Sequence, residues 1–143
     1  MVLKKKILVS ACLLGTPCRY DGKSKPCEKV IRLGEDYEII PVCPEQLGGL
    51  TTPRPPSEMQ ADGRFINSDG ADVTAEYRNG ANKTLHIAKE HGCALAVLKE
   101  KSPSCGVHSR YDGTFTRTLI RESGITASLL RENGMTVLSE DDI

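Results

Sequence analysis

ALAVLKEKSPSCG, residues 94 to 106, is the stretch on which the fold turns. Ala94 to Leu98 is an unbroken apolar run of strand length, the pattern of a strand covered on both faces in a parallel sheet. The polar residues that follow, broken by Pro103 and Gly106, form a loop that leaves the carboxyl end of that strand and carries Cys105. Two other runs repeat the arrangement: KILVS at 6–10 leads to Cys12, and YEIIPV at 37–42 leads into Cys43. Paired in parallel, these strands open their carboxyl ends onto one crevice, where open α/β sheets place their ligands. Three thiols far apart in sequence would then meet in space.

The intervening segments supply helices and loops. A helix is expected from Pro26 to about Leu33, with Gly34 ending it. Pro44 to Pro56 holds four prolines and two glycines and reads as an ordered site loop without helix or sheet. MQADGRFINSDG, residues 59–70, has the Asp-Gly punctuation of a hairpin or loop. Asp72 or Thr74 can cap a long helix to Glu90, with Leu85, Ile87 and Ala88 as its buried stripe and Gly92 as its stop. Tyr111 to Thr118 is polar and turn-rich, Ile125 to Glu132 is a last helix closed by Asn133-Gly134, and Thr136 to Leu138 is a last strand. This order predicts one α/β domain over residues 1–143, three-layered, with a mostly parallel, Rossmann-like sheet.

Composition narrows the partners. Lys plus Arg and Asp plus Glu are equal at 19 each, Trp is absent and aromatics are 4% of the 143 residues. That argues against a nucleic-acid surface and favours a small, weakly charged ligand. No run approaches the roughly 20 apolar residues of a membrane span. Lys4 to Lys6 followed by ILVSAC imitates an export signal, but its apolar stretch falls short of the roughly 7 to 15 residues such a signal needs, so a cytoplasmic location is expected. Six cysteines in a reducing compartment then point to metal, catalysis or burial rather than to disulfides.

Thiolates suit iron–sulfur clusters and zinc alike, but zinc ribbons carry close C-x-x-C pairs and this chain has none. Cys12, Cys43 and Cys105 without an equivalent fourth leave one coordination position open, as catalytic sites do. Cys18 shares a loop with Cys12 and reads as a residue of the loop wall or a rival ligand. Cys27, at a helix opening, and Cys93, before a buried strand, read as small hydrophobes. Glu45, two residues past Cys43 in the proline-braced segment, is placed to move protons beside such a centre. Ser102 and Ser104 can orient a ligand or simply open a turn. Arg54 can grip a ligand or form a structural ion pair. His86 and His91 read as surface helix residues, and GGLTTPRPP lacks the pattern of a phosphate-binding P-loop.

ACLLGTPCRYDG (11–22), PVCPEQLGGLTTPRPP (41–56), LKEKSPSCG (98–106), YDGTF (111–115) and GITASLLRENGMTVLSE (124–140), in this order, resemble the 2-thiouracil desulfidase family over about residues 6 to 140. The resemblance implies a [4Fe-4S] cluster on Cys12, Cys43 and Cys105, and removal of sulfur from a small thiolated pyrimidine to give uracil and sulfide. It points to Ser102 as catalytic and strengthens Glu45 in that role, while Arg54 and Ser104 are expected from their own chemistry as substrate contacts. Two other readings use the same residues. One is a non-catalytic zinc or iron–sulfur module closed by Cys18. The other is an enzyme with Cys105 as nucleophile and His108 as its base.

Overall fold

The computed structural model describes residues 3–143. Four parallel strands form the central sheet in the order β2-β1-β5-β8: β1 is Lys6–Ser10, β2 Glu38–Val42, β5 Leu95–Leu98 and β8 Thr136–Ser139. Leu8 of β1 aligns with Ile40 on one side and with Ala96 on the other. From β1 the chain first moves outward to β2 and then returns past β1 to build β5 and β8. The reversal therefore falls beside the end of β1, where Cys12 lies.

The apolar runs are continuous because both faces of the sheet are covered. Leu8, Leu98 and Val137 pack with Ala88, Ala127 and Leu130 of two helices, α3 (Thr74–Glu90) and α4 (Ile125–Glu132). Ile7, Val9 and Val97 pack on the other side with Leu13 and with Val30 of α1 (Glu28–Ile31). The resulting three-layer α/β architecture is the one the apolar runs predicted. Two antiparallel hairpins stand outside the sheet: β3 (Ser57–Met59) with β4 (Phe65–Asn67), and β6 (Arg110–Tyr111) with β7 (Leu119–Ile120). No helix among the described residues is long and apolar enough to cross a membrane.

Local chemistry corrects several sequence expectations. The first helix is shorter than Pro26–Leu33 and tightens into a 3-10 turn over Arg32–Glu35, so Gly34 does not end it. The backbone N–H groups of Lys25 and Cys27 donate to the carbonyls of Cys12 and Leu13, and Cys27 is still extended where the helix begins at Glu28. The proline-rich segment does contain a helix, α2 (Pro44–Leu47), with Pro44 in the first turn, where its missing N–H costs nothing. The turn-rich stretch from Tyr111 is flanked by the paired strands β6 and β7.

In α3 the buried stripe is Tyr77, Gly80, Ala81, Thr84 and Ala88, while Leu85 and Ile87 are only half-buried. Small residues face inward because α2 and α3 touch backbone to backbone. A Cβ on Gly48 would collide with the Glu76 carbonyl, and one on Gly80 with the Pro44 carbonyl. This close crossing sets the residues at the start of α2 against Tyr77.

Candidate functional site

A cavity of about 520 Å³ opens at the carboxyl ends of β1, β2 and β5. Cys12, Cys43 and Cys105 all line it, and Cys18 joins them. The Cys18 thiol is within hydrogen-bonding reach of the thiols of Cys12 and Cys43. Its bond with Cys12 is the main reason its pKa is pushed up to about 11. The same pairing with Cys18, reinforced by burial, raises the Cys43 thiol far above the ordinary range. Burial pushes Cys105 up to about 12, with Glu45 and Cys43 adding to the rise. A metal binding here must therefore displace protons from the thiols.

The loop that presents Cys105 is built around buried polar groups. Ser102 Oγ accepts the backbone N–H groups of Ser104 and Cys105 at 3.1 and 3.0 Å, closing a tight turn. Oε1 of Glu100, a residue only 5% exposed, accepts the N–H groups of Val107, His108 and Ser109 at 2.8 to 3.0 Å and that of Lys101 at 3.3 Å. Burial opposes the charge of Glu100, yet these bonds outweigh it and hold its carboxyl below the usual range. From the far side, the first-turn N–H groups of α4 bond the loop: Ile125 to the Pro103 carbonyl, Thr126 and Ala127 to that of Ser104. Donors that every helix leaves unpaired at its start are thus satisfied by the cysteine loop.

Glu45, in the first turn of α2, faces the same cavity. Arg54 grips its Oε2 through Nη2 at 2.6 Å and Nε at 2.8 Å, with side-chain exposures of 6% and 13% for Arg54 and Glu45. Burial works against the Arg54 charge, but Glu45 more than compensates and raises its pKa. Arg54 also donates from Nη2 to the Cys18 carbonyl and from Nη1 to the Thr51 carbonyl and Thr52 Oγ1. All five guanidinium donors are engaged within the protein. Arg54 lines the cavity as the brace of Glu45, the ion-pair role expected of it beside ligand contact. Ser102 Oγ reaches Glu45 Oε1 at 3.4 Å, so the turn-forming serine also touches the carboxylate.

Ser104 is 1% exposed and its hydroxyl pairs with Thr126 Oγ1 at 2.6 Å. It is not among the residues that line the cavity, and its side chain bonds the Cys105 thiol. His108 bonds Asp142 Oδ2 at 2.8 Å on the exposed side of the loop and is no part of the cavity wall, which leaves a Cys105 nucleophile without its base. Cys27 and Cys93 pack into the two core layers away from the cavity. His86 and His91 are exposed at the end of α3.

Tyr77 was not foreseen as a site residue. Its hydroxyl lies within hydrogen-bonding reach of Glu45 and Ser57, and burial, helped by the Glu45 charge, pushes its pKa well above the ordinary tyrosine value. An aromatic on the buried stripe of a helix, stacked on Phe65 at 4.4 Å, carries the sequence signal of core packing alone. Glu100 gave no signal either, because its partners are backbone amides.

The donor set suits a soft metal centre. Soft thiols spread over one cavity wall, with no imidazole among them, match the ligand preference of iron–sulfur clusters.

Comparison with known proteins agrees with this geometry. The sequence profile described as 2-thiouracil desulfurase matches residues 7–142. A protein of Bacillus subtilis (strain 168), YbbK, described as uncharacterized, is 42% identical over 146 residues, covering 96% of this chain and 97% of its own. A solved structure described as a [4Fe-4S]-dependent thiouracil desulfidase, TudS, superposes with a TM-score of 0.92 at 45% identity, covering 98% of this chain and 93% of that one.

Proposed function

The chain belongs to the 2-thiouracil desulfurase family, and on that premise we propose that it hydrolyses a thiolated uracil to uracil and sulfide without net electron transfer. One observation carries the reading: a carboxylate locked by a buried guanidinium shares a cavity wall with the thiols. Cys12, Cys43 and Cys105 are the ligands of a [4Fe-4S] cluster. Bound there, such a cluster supplies an exchangeable iron, a Lewis acid suited to a soft thiocarbonyl sulfur.

The protein's own groups do the rest. Glu45 draws a proton from the water that attacks the thiocarbonyl carbon. Arg54 holds that carboxylate aimed, and Tyr77 lines the cavity beside it. The Ser102 hydroxyl, 3.4 Å from Glu45, passes the proton onward toward the departing sulfur. Ser104 and Glu100 keep the Cys105 loop in shape, so the thiol is presented without reorganisation. The substrate is a small thiolated pyrimidine, and the location is cytoplasmic, where thiols stay reduced.

Anaerobic reconstitution with iron and sulfide, followed by assay of sulfide release from 2-thiouracil, tests the reading. A brown protein that releases sulfide in step with uracil is the expected result. A cluster-loaded protein that releases none overturns it.

A further inference from the structure

The groups described so far meet a thiolated pyrimidine at its sulfur and its polar edge, and leave its two flat faces without a partner. We propose that Phe115 is the stacking face for that ring, so that the loop 112–118 between β6 and β7 helps select which thiolated rings are held; this rests on the desulfidase reading and deepens it.

Among the described residues, three that are not glycine hold a left-handed backbone: Lys101 (φ 70°), Phe115 (φ 58°) and Arg117 (φ 60°). All three line the thiol cavity. A side chain in that conformation is strained, and such strain gathers at ligand clamps and active sites. At Phe115 it is maintained by the buried Glu58, whose Oε1 accepts the N–H groups of Gly113 at 3.0 Å and of Phe115 at 3.2 Å. Gln60 Nε2 donates to the Gly113 carbonyl at 3.0 Å, and a Cβ on Gly113 would stand 2.8 Å from the Met59 carbonyl, so the loop lies directly on the β3–β4 hairpin. Asp112, Thr114, Thr116 and Thr118 bond one another in series through their side chains.

The loop is thus fastened through its backbone and its polar side chains, while the Phe115 ring stays 40% exposed at the cavity. Core packing does not explain an open apolar ring on a strained backbone. Other aromatic rings on the cavity wall are differently placed: Tyr77 stacks on Phe65 at 4.4 Å, Tyr20 lies under the Arg19 guanidinium at 5.9 Å, and Tyr111 is half-buried in β6. A flat, weakly charged heterocycle meets a free aromatic face by offset stacking.

The Kd of uracil, measured by calorimetry on the cluster-loaded protein, isolates the ring contact because uracil has no sulfur to offer the iron; KM and kcat for 2-thiouracil complete the test. In Phe115→Ala the Kd and KM should rise together on the order of ten- to a hundredfold, the effect of losing a base–aromatic stack, with iron content and kcat close to those of the parent. Phe115→Tyr, which keeps the ring, should bind as the parent does, and Phe115→Leu, which keeps apolar bulk without a π face, should resemble alanine. Parent-like Kd in Phe115→Ala or Phe115→Leu, a fall in kcat at unchanged KM, or a parent that releases sulfide without binding uracil overturns the proposal. Should Phe115→Ala fail to fold, the tyrosine and leucine variants decide. A parent that binds uracil through Phe115 but releases no sulfide from 2-thiouracil defeats the desulfidase reading and leaves the stacking face in place; a parent that does neither defeats both.

Discussion

Two loops deliver thiols to the cavity, and they are built on opposite principles. The loop around Cys105 is organised by a buried anion, a serine turn and the amino end of α4, so almost every backbone donor near the thiol is engaged. The loop from Gly15 to Cys27, which carries Cys18, is tied at its end by the Lys25 and Cys27 N–H groups to the Cys12 and Leu13 carbonyls, and in its middle by Arg54 through the Cys18 and Tyr20 carbonyls. The first is stiff because its order is enforced from inside. The second is held from outside, and the Arg54 that holds its middle also holds Glu45. A site that must both retain a cofactor and let a substrate in is served by this division.

The comparison breaks most visibly at Glu100. Glu100→Ala strips four N–H groups of their acceptor and is expected to cost about 3–4 kcal/mol, given roughly 1.5–3 kcal/mol for a hydrogen bond to a charged group. Urea unfolding of the cluster-free protein measures this, and iron uptake by the variant should be lost with it. A variant that keeps parent stability and iron would show that the Cys105 loop needs no internal template.

Arg54→Ala attacks the other loop. It leaves the Glu45 charge without its ion-pair partner and frees the Cys18 carbonyl. The expected cost is about 2–3 kcal/mol, below the roughly 3–5 kcal/mol of a fully buried pair because Glu45 keeps some solvent. Iron binding should survive, whereas kcat should fall on the order of 10²-fold as the general base loses its aim. Loss of iron with kcat preserved in the residual holoenzyme would assign Arg54 to the cluster and not to the base.

Acid sharpens the contrast more gently. The Glu100 carboxyl is held below its ordinary value of 4.5 in the folded protein, so its contribution is fully present above that value and is lost as pH falls through the lower folded value. Stability of the cluster-free parent should therefore drop below pH 4.5 with a steeper slope than that of Glu100→Gln, whose amide does not titrate there. Parallel slopes would mean that other carboxylates, such as Asp142, dominate the acid limb.

The smallest effects belong to the two thiols outside the cavity. Cys27→Ala and Cys93→Ala should each cost about 1 kcal/mol or less and leave iron content unchanged. Either variant losing its iron would redraw the ligand set.

What was legible in the sequence was whatever has a period or a stop signal. The strands with buried residues on both faces, and α3 and α4 with their glycine and asparagine stops, read directly. A four-residue helix in a proline-rich stretch has no period to detect, which is why α2 was hidden. The thiols of Cys12, Cys43 and Cys105 stood out because each follows a strand. The Arg54–Glu45 pair did not, since two residues nine positions apart meet only once the intervening chain has bent back. Tyr77 carried a contradictory signal: its position in the apolar stripe marks packing, while only its hydroxyl belongs to the site.

The crossing of α2 and α3 at Gly48 and Gly80 works as a ruler. With no side chain between the two backbones, the spacing from the Glu45 carboxylate to the Tyr77 hydroxyl is set by the thickness of the main chain, the least compressible dimension a protein has. Adding one methyl at either glycine lengthens that ruler, and the error appears at the proton acceptor rather than at the helix crossing where it was introduced. Redesign of this pocket for larger thiolated rings therefore has to leave the crossing at Gly48 and Gly80 untouched.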